Sequence, residues 1–370
     1  MLLGAGMTKL QTHKSDADPN NKQPGPGGNI MKILKAFLLF CILTFCASAN
    51  AADVGYHVIN KLQLGGEGGW DYLTVDSAAR RLYISRGTHV MVLDLDTDKL
   101  VGDITGTTGV HGIAVAPELN RGFTSNGKIN TATIFELKTL KVLGQVKTGT
   151  NPDAILYDPA SKRVFTFNGG SKDVTVFEGA SGEVVGTIPL GGKPEFAAAD
   201  GKGKVYVNIE DKAEVVQIDS LKPAVAKRYS LKPCEEPTGM GFDPEHDRVF
   251  AGCHNKVMAI LDIGTGKVIA AVPIGEGVDG NGYDPGTELA FSSNGEGTLT
   301  VVRELSPGKF GVAGTATTQR GARTMAIDPK THNIYLPTAT FAPLQASTPE
   351  GVKPRPVMVK DSFVIVVVGK

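Results

Sequence analysis

The chain has 370 residues, 41% of them hydrophobic and 21% charged, so it carries enough apolar content to bury a core. Lys plus Arg and Asp plus Glu each total 38, a formal net charge of zero, which disfavours an electrostatic nucleic-acid binder with its usual basic excess. The 46 glycines are dispersed without a collagen period, and the composition as a whole excludes a coiled coil, a polytopic membrane protein and a small disulfide scaffold.

Residues 1–30 are polar, end in GPGGN and read as a disordered extension. Met31 then opens MKILKAFLLFCILTFCASANAADVG. Lys32 and Lys35 give a short basic region, the apolar run from Ala36 to Cys46 is too short for a comfortable membrane span, and Ala49-Asn50-Ala51 is an A-x-A cleavage site. Residues 31–51 are thus predicted to be a secretory signal peptide, and translation is expected to begin at Met31. Cleavage after Ala51 removes five Lys and two Asp and leaves a net charge of −3. Phe45 before Cys46 is too bulky for a lipobox.

From residue 52 onward one unit repeats. An apolar run ending in Asp-Pro or a close relative recurs at Asp76-Ser77, Ala116-Pro117, Asp158-Pro159, Asp200-Gly201, Asp243-Pro244, Asp284-Pro285 and Asp328-Pro329, at intervals of 40, 42, 42, 43, 41 and 44 residues. A short strand bearing an aromatic follows each anchor, at Tyr83, Phe123, Phe165, Tyr206, Phe250, Phe291 and Tyr335. A third strand (HVMVLDLDT, VTVFEGAS, VMAILDIGT) and a fourth (LVGDITG, VVGTIPLGG, VIAAVPIG) complete the unit. Four short strands per unit of this length predict an all-β, seven-bladed β-propeller with four-stranded antiparallel blades, residues 52–370 forming a single domain. Before each anchor, positions −1 and −3 are mostly large and apolar while −2 and −4 are often small, which suits an inner strand packed closely between two blades. Blade seven is expected to take strands at Arg323–Asp328, Asn333–Pro337 and Phe363–Val368. The run Tyr56–Leu64, which has no blade of its own, is expected to close the ring as the outer strand of blade seven and so remove an open edge.

The segments VYVNIEDKAEVVQID, VFTFNGGSKDVTVFEGASGEVVGTIPLGGKP and AFSSNGEGTLTVV resemble the YVTN-type β-propeller repeat family of secreted bacterial proteins, over roughly Tyr56 to Lys370. The departures are Asp-Gly in place of Asp-Pro in blade four and a long insertion in blade seven. The resemblance implies a propeller in a secreted or periplasmic protein and specifies little chemistry. Some members of that family are proposed to bind DNA, which puts single-stranded DNA binding among the readings, against the charge of the mature chain.

No C-x-x-C-H, P-loop, HExxH or GxSxG stands in the chain. Cys41 and Cys46 leave with the signal. Cys234 lies just before the first strand of blade five and Cys253 ends the second, so antiparallel pairing puts both at one end of the blade and predicts a disulfide. The alternative is a metal site of Cys234, Glu235, Cys253 and His254. His57, His89, His246 and His332 read as ordinary solvated side chains. Trp70, the single tryptophan, adjoins the entry of blade one and either packs there or stacks a ligand. The proline-rich segment from Phe341 to Asp361 is either a plain surface insertion or a lid over the channel face.

The sharpest functional signal is positional. Five residues before each anchor stand Asp71, His111, Asp153, Glu195, Thr238, Asp279 and Arg323, polar in all seven blades. Inner strands surround a propeller's axis, so these side chains are predicted to ring one mouth of the channel. There, four carboxylates with a His and an Arg would suit a polar, partly cationic ligand or a hard divalent cation. The bland alternative is that each residue only caps its strand entry. The reading is therefore a monomeric binding protein or scaffold that holds a small ligand or protein partner at this face without turnover and needs no cofactor beyond such a cation. A metal-assisted, lactonase-like hydrolase using the same carboxylates is the first alternative.

Overall fold

In a computed structural model of the protein, residues 53–343 and 357–370 are described. The predicted extension and signal peptide, and the middle of the blade-seven insertion, lie outside them. The described chain forms seven four-stranded antiparallel sheets, and six take their strands in simple sequence order, as in blade three: Pro152–Asp158, Arg163–Asn168, Asp173–Glu178 and Val184–Pro189. The protein is a seven-bladed β-propeller.

The seventh sheet is assembled from both ends of the chain. Ala326–Ile327, Ile334–Thr338 and Val364–Gly369 are followed in space by His57–Gln63, which pairs antiparallel with the last strand from His57 opposite Gly369 to Gln63 opposite Val364. The N-terminal run thus closes the ring as expected. The innermost strand of this blade is shorter than the sequence suggested, and Arg323 precedes it rather than opening it. In blade one the inner strand is likewise short, Leu73–Asp76, with Asp71 before it.

The core lies between blades. The seven strand-two aromatics are all buried, and three of them stack on the aromatic at position −1 of the next blade: Phe123 on Tyr157, Tyr206 on Phe242 and Phe250 on Tyr283, at 5.2–6.3 Å between centroids. Small residues at −2 and −4 let inner strands approach each other. A Cβ on Gly239 would stand 2.4 Å from the backbone nitrogen of Asn281 in the neighbouring blade, which only glycine tolerates.

The anchors are turn formers at the opposite end of the inner strands, buried in every blade but the fourth. Asp158, fully buried, accepts from the Ser161 amide and hydroxyl and from the Ser220 hydroxyl of the next blade. Asp328 of blade seven accepts from Ser77 and Arg80 of blade one, both at 2.5 Å, and so ties the first blade to the last. In six blades the residue four after the anchor has positive φ (Arg80, Asn120, Lys162, Asp247, Glu288 and His332), whereas blade four meets its turn with Gly201 and Gly203, which explains its departure from Asp-Pro. Two histidines read as merely solvated are partnered by anchors: His246 Nδ1 lies 2.8 Å from Asp243 and His332 Nδ1 lies 2.8 Å from Asp284.

Cys234 and Cys253 are bonded, with Cα atoms 5.5 Å apart. That removes both thiolates from the alternative metal set, and His254 faces elsewhere. Among the described residues no helix is long and apolar enough to cross a membrane.

Candidate functional site

The seven residues at position −5 line one pocket of about 400 Å³. Local backbone explains how they reach it. In blades two to six the pairing of the inner strand slips by one residue just after position −6: Pro152 faces Asn168, but Ile155 faces Thr166. The extra residue is a β-bulge, and it breaks the alternation that would otherwise hold −5 on the interblade face with −3 and −1. Hydrogen bonds hold the backbone at position −5: Ser125 of blade two donates to the Asp153 carbonyl of blade three, Thr324 of blade seven donates to the Asp71 carbonyl of blade one at 2.7 Å, and within blade one the Asp71 amide donates to Ser85 at 2.9 Å. Thr238 gives its hydroxyl to the Val278 carbonyl at 3.2 Å, so its part in the ring is to tie blades five and six.

The channel does not run through. Position −4 is small in most blades, but in blades one and four it is Tyr72 and Phe196, whose rings meet 5.3 Å apart. Blades one and four stand across the ring from each other, so the pair closes the channel, and Tyr72 lines the pocket above it. Burial and the charges of Asp153, Asp71, Glu195 and Asp279 push the Tyr72 hydroxyl well above its ordinary value, which keeps it neutral.

Three charge clusters fill the walls. In the first, His111 Nδ1 lies 2.6 Å from Asp71 Oδ2 and 3.5 Å from Asp153 Oδ1. Burial works to lower the imidazole pKa, but the Asp71 hydrogen bond and the carboxylate charges outweigh it, and the net shift is upward. Asp153 is pushed up to about 6 by burial and then by the charge of Asp71, against the pull of His111 and Lys193. In the second cluster Lys193 lies 2.5 Å from Glu195 and also donates to Glu210. Two carboxylates share one ammonium. Glu195, the more buried of the two, rises to about 8 through burial and the charge of Asp153, while the same carboxylates hold Lys193 charged. In the third, Arg323 Nε lies 3.0 Å from Asp279, which burial still lifts to about 6. The carboxylates outnumber the cations, so the pocket carries an excess of acidic groups. Asp71, His111 and Asp153 each offer a ligand atom within 4.8 Å of the others.

Sequence reasoning missed Tyr72, Lys193 and Glu210 and grouped His254 with the cysteines of blade five; all four line this pocket. A signal for two of them exists. The residue directly after strand two is glycine in blades two, three and six (Gly127, Gly169, Gly295), but Glu210 in blade four and His254 in blade five. His254 bonds Glu236 at 2.8 Å. Trp70 is not part of the ring pocket. It packs on Phe363 and Phe341, at 5.2 and 6.0 Å, and lines a neighbouring cavity. The two ends of the blade-seven insertion pair with each other, Ala342 donating to Val357 and Val359 to Thr340, each at 2.8 Å.

No family model and no curated protein matches the chain. Among solved structures it is similar to a chain of Kuenenia stuttgartiensis hydrazine synthase, at 16% identity and a TM-score of 0.63, over 73% of this chain and 92% of that one. Such a likeness supports the propeller fold alone. With 1742 solved chains matching, the fold by itself selects no chemistry.

Proposed function

We propose that this protein is an exported, non-catalytic propeller that holds a divalent cation in the acidic pocket, with Asp71, His111 and Asp153 as its protein ligands. The observation that carries the reading is the convergence of those three donors at the closed end of a channel whose walls hold more carboxylates than cations. Two carboxylates with one imidazole suit Mn²⁺ or Zn²⁺ better than an all-oxygen Ca²⁺ cage. Asp279 would supply further negative field without direct contact. Export is supported by the A-x-A site before Asp53, the bonded Cys234–Cys253 pair and the likeness to a secreted repeat family. The pocket's negative charge speaks against a polyanion such as single-stranded DNA at this face.

Calorimetric titration of chelator-stripped protein with Mn²⁺, Zn²⁺ and Ca²⁺ tests the reading. One-to-one binding of Mn²⁺ or Zn²⁺, abolished in Asp71→Asn/Asp153→Asn with folding intact, is the expected result. Absence of binding heat and of any melting shift with all three ions would refute it. One observation favours a second reading, a metal-assisted hydrolase: Asp153 and Glu195, lifted to about 6 and about 8, sit in the range of a general acid or base at neutral pH. Metal-dependent turnover of lactone or ester substrates, lost in Glu195→Gln, would select it.

A further inference from the structure

Beside the acidic pocket, at the same end of the propeller, lies a larger cavity of about 1010 Å³. The two share Arg323 and Gly277, yet their chemistry is opposite. The described lining of the larger cavity contains no Asp or Glu. It contains Trp70, Phe341 and Met358 as apolar wall, and Arg320 and Arg323 as cations. Arg323 is engaged by Asp279, whereas Arg320 has no ion-pair partner among the described residues.

The aromatic wall is fixed in place from behind. Trp70 packs on Phe363, and the guanidinium of Arg86 lies 3.7 Å from the other ring's centroid, over Phe363. Arg86 is only 1% exposed and donates to the Glu67 carbonyl at 2.9 Å, while its Nε and Nη1 have no partner. Gly68 and Gly69, which line the cavity, run over the Arg86 backbone: a Cβ on Gly68 would stand 2.8 Å from the Arg86 carbonyl oxygen, and φ at Gly68 is +96°. A buried, incompletely satisfied cation therefore stands behind the aromatic wall, and at the rim stand Arg320, without an ion-pair partner among the described residues, and Arg323, already held by Asp279. An uncompensated positive field next to an apolar wall favours an anion with an apolar body.

We propose that this cavity is a second binding site, specific for an aromatic carboxylic acid. The ring of the ligand lies against Trp70 and Phe341, and its carboxylate is taken by the Arg320 fork, with Arg323 next to it. Arginine suits that task because its planar N–H pairs match a carboxylate in a bidentate bond. The size of the cavity fits a small organic acid with room for bound water. The site is independent of the cation proposed for the acidic pocket.

Trp70 is the single tryptophan of the chain, so its emission reports on this cavity alone. The test is a titration with 3-phenylpropionate in chelator-containing buffer, followed by Trp70 fluorescence and by calorimetry. A saturable emission change with matching heat is expected. Arg320→Gln is expected to weaken binding by about tenfold or more, the worth of one charge-assisted pair, with an unchanged melting temperature. Phe341→Ala is expected to weaken it as well, and 3-phenylpropan-1-ol and 3-phenylpropylamine are expected to bind at least about tenfold more weakly than the acid. Absence of a saturable response up to the solubility limit of the acid would overturn the proposal. So would equal binding of the alcohol, or an affinity untouched by Arg320→Gln in a protein that melts normally. If deletion of residues 344–356 is required before any acid binds, the cavity is a seat for that segment and the proposal fails.

Discussion

Asp153 and Asp158 stand at the two ends of one strand in blade three, and the repeat places similar pairs in other blades. The two ends use the same side chain in opposite ways. At the anchor end the carboxylate is buried among donors: Asp158 takes Ser161 and Ser220, and Asp328 takes Ser77, Arg80, Thr331 and a turn amide. Burial alone would raise the Asp328 pKa, but those donors outweigh it and the net shift is downward. At the mouth end the carboxylates face one another. Asp153 and Asp279 rise to about 6 and Glu195 to about 8, because burial is met by too few donors. Satisfied carboxylates hold a fold together. Unsatisfied ones cost stability in the native state and attract cations.

The largest expected effect breaks the anchor side. Asp328→Ala would leave Arg80 with only the exposed Asp96 and strand the Ser77 hydroxyl at the seam between first and last blades. A loss of about 3–5 kcal/mol follows for removing one partner of a buried pair. Denaturant unfolding should show that loss, and Asp279→Asn at the mouth should show no comparable one. Equal losses at both ends would dissolve the contrast.

The disulfide comes next. Cys234 and Cys253 stand at the mouth end of blade five, 19 residues apart. Their replacement by serine is expected to cost about 3 kcal/mol by the chain-entropy argument. Hydrogen exchange should localise the loosening to residues 234–238 and 253–256, with the anchor hairpin at 243–248 still protected. Uniform loosening would contradict the separation of the two ends.

The smallest effect is a pH dependence of opposite sign at the two ends. With Asp153 lifted from 3.8 to about 6, the folded state keeps a proton that the unfolded chain has already released between those values. Its contribution to stability therefore falls as pH rises from about 4 to about 6 and stays lost above that. The lowered pKa of Asp328 works the other way: its stabilisation is present above the ordinary aspartate pKa and is lost as pH falls through its depressed value. Chelator-treated protein with Asp153→Asn should show a flatter stability profile between about pH 4 and 6 than the parent, measured by urea unfolding at each pH. An unchanged slope would mean that the mouth carboxylates are not strained.

Much of this is legible in the sequence. The recurring Asp-Pro anchor counted the blades, the aromatic after each anchor marked strand two, and the unpaired run from Tyr56 to Leu64 told how the ring closes. Those features are local, repeated and tied to one backbone geometry, so a period in the sequence is a period in space. Position −5 was found the same way: seven polar residues at one repeat position had to share one mouth. Repetition says where a residue sits along its blade and nothing about its neighbours across the axis. Tyr72 and Phe196 belong to blades one and four, far apart in sequence, and only ring closure brings their rings to 5.3 Å and stops the channel. The bulges that turn Asp153 inward have no composition mark, since they arise from the pairing of two strands. Lys193 and Glu210 enter the site from loops of blade four, and Trp70 leaves it for a cavity built by the far end of the chain. The repeat determined the blades, the anchors and the level of the ring. Only the closed circle decided which charges meet, which carboxylates go unsatisfied and which aromatic wall faces Arg320, because those depend on distances between blades that no single unit encodes.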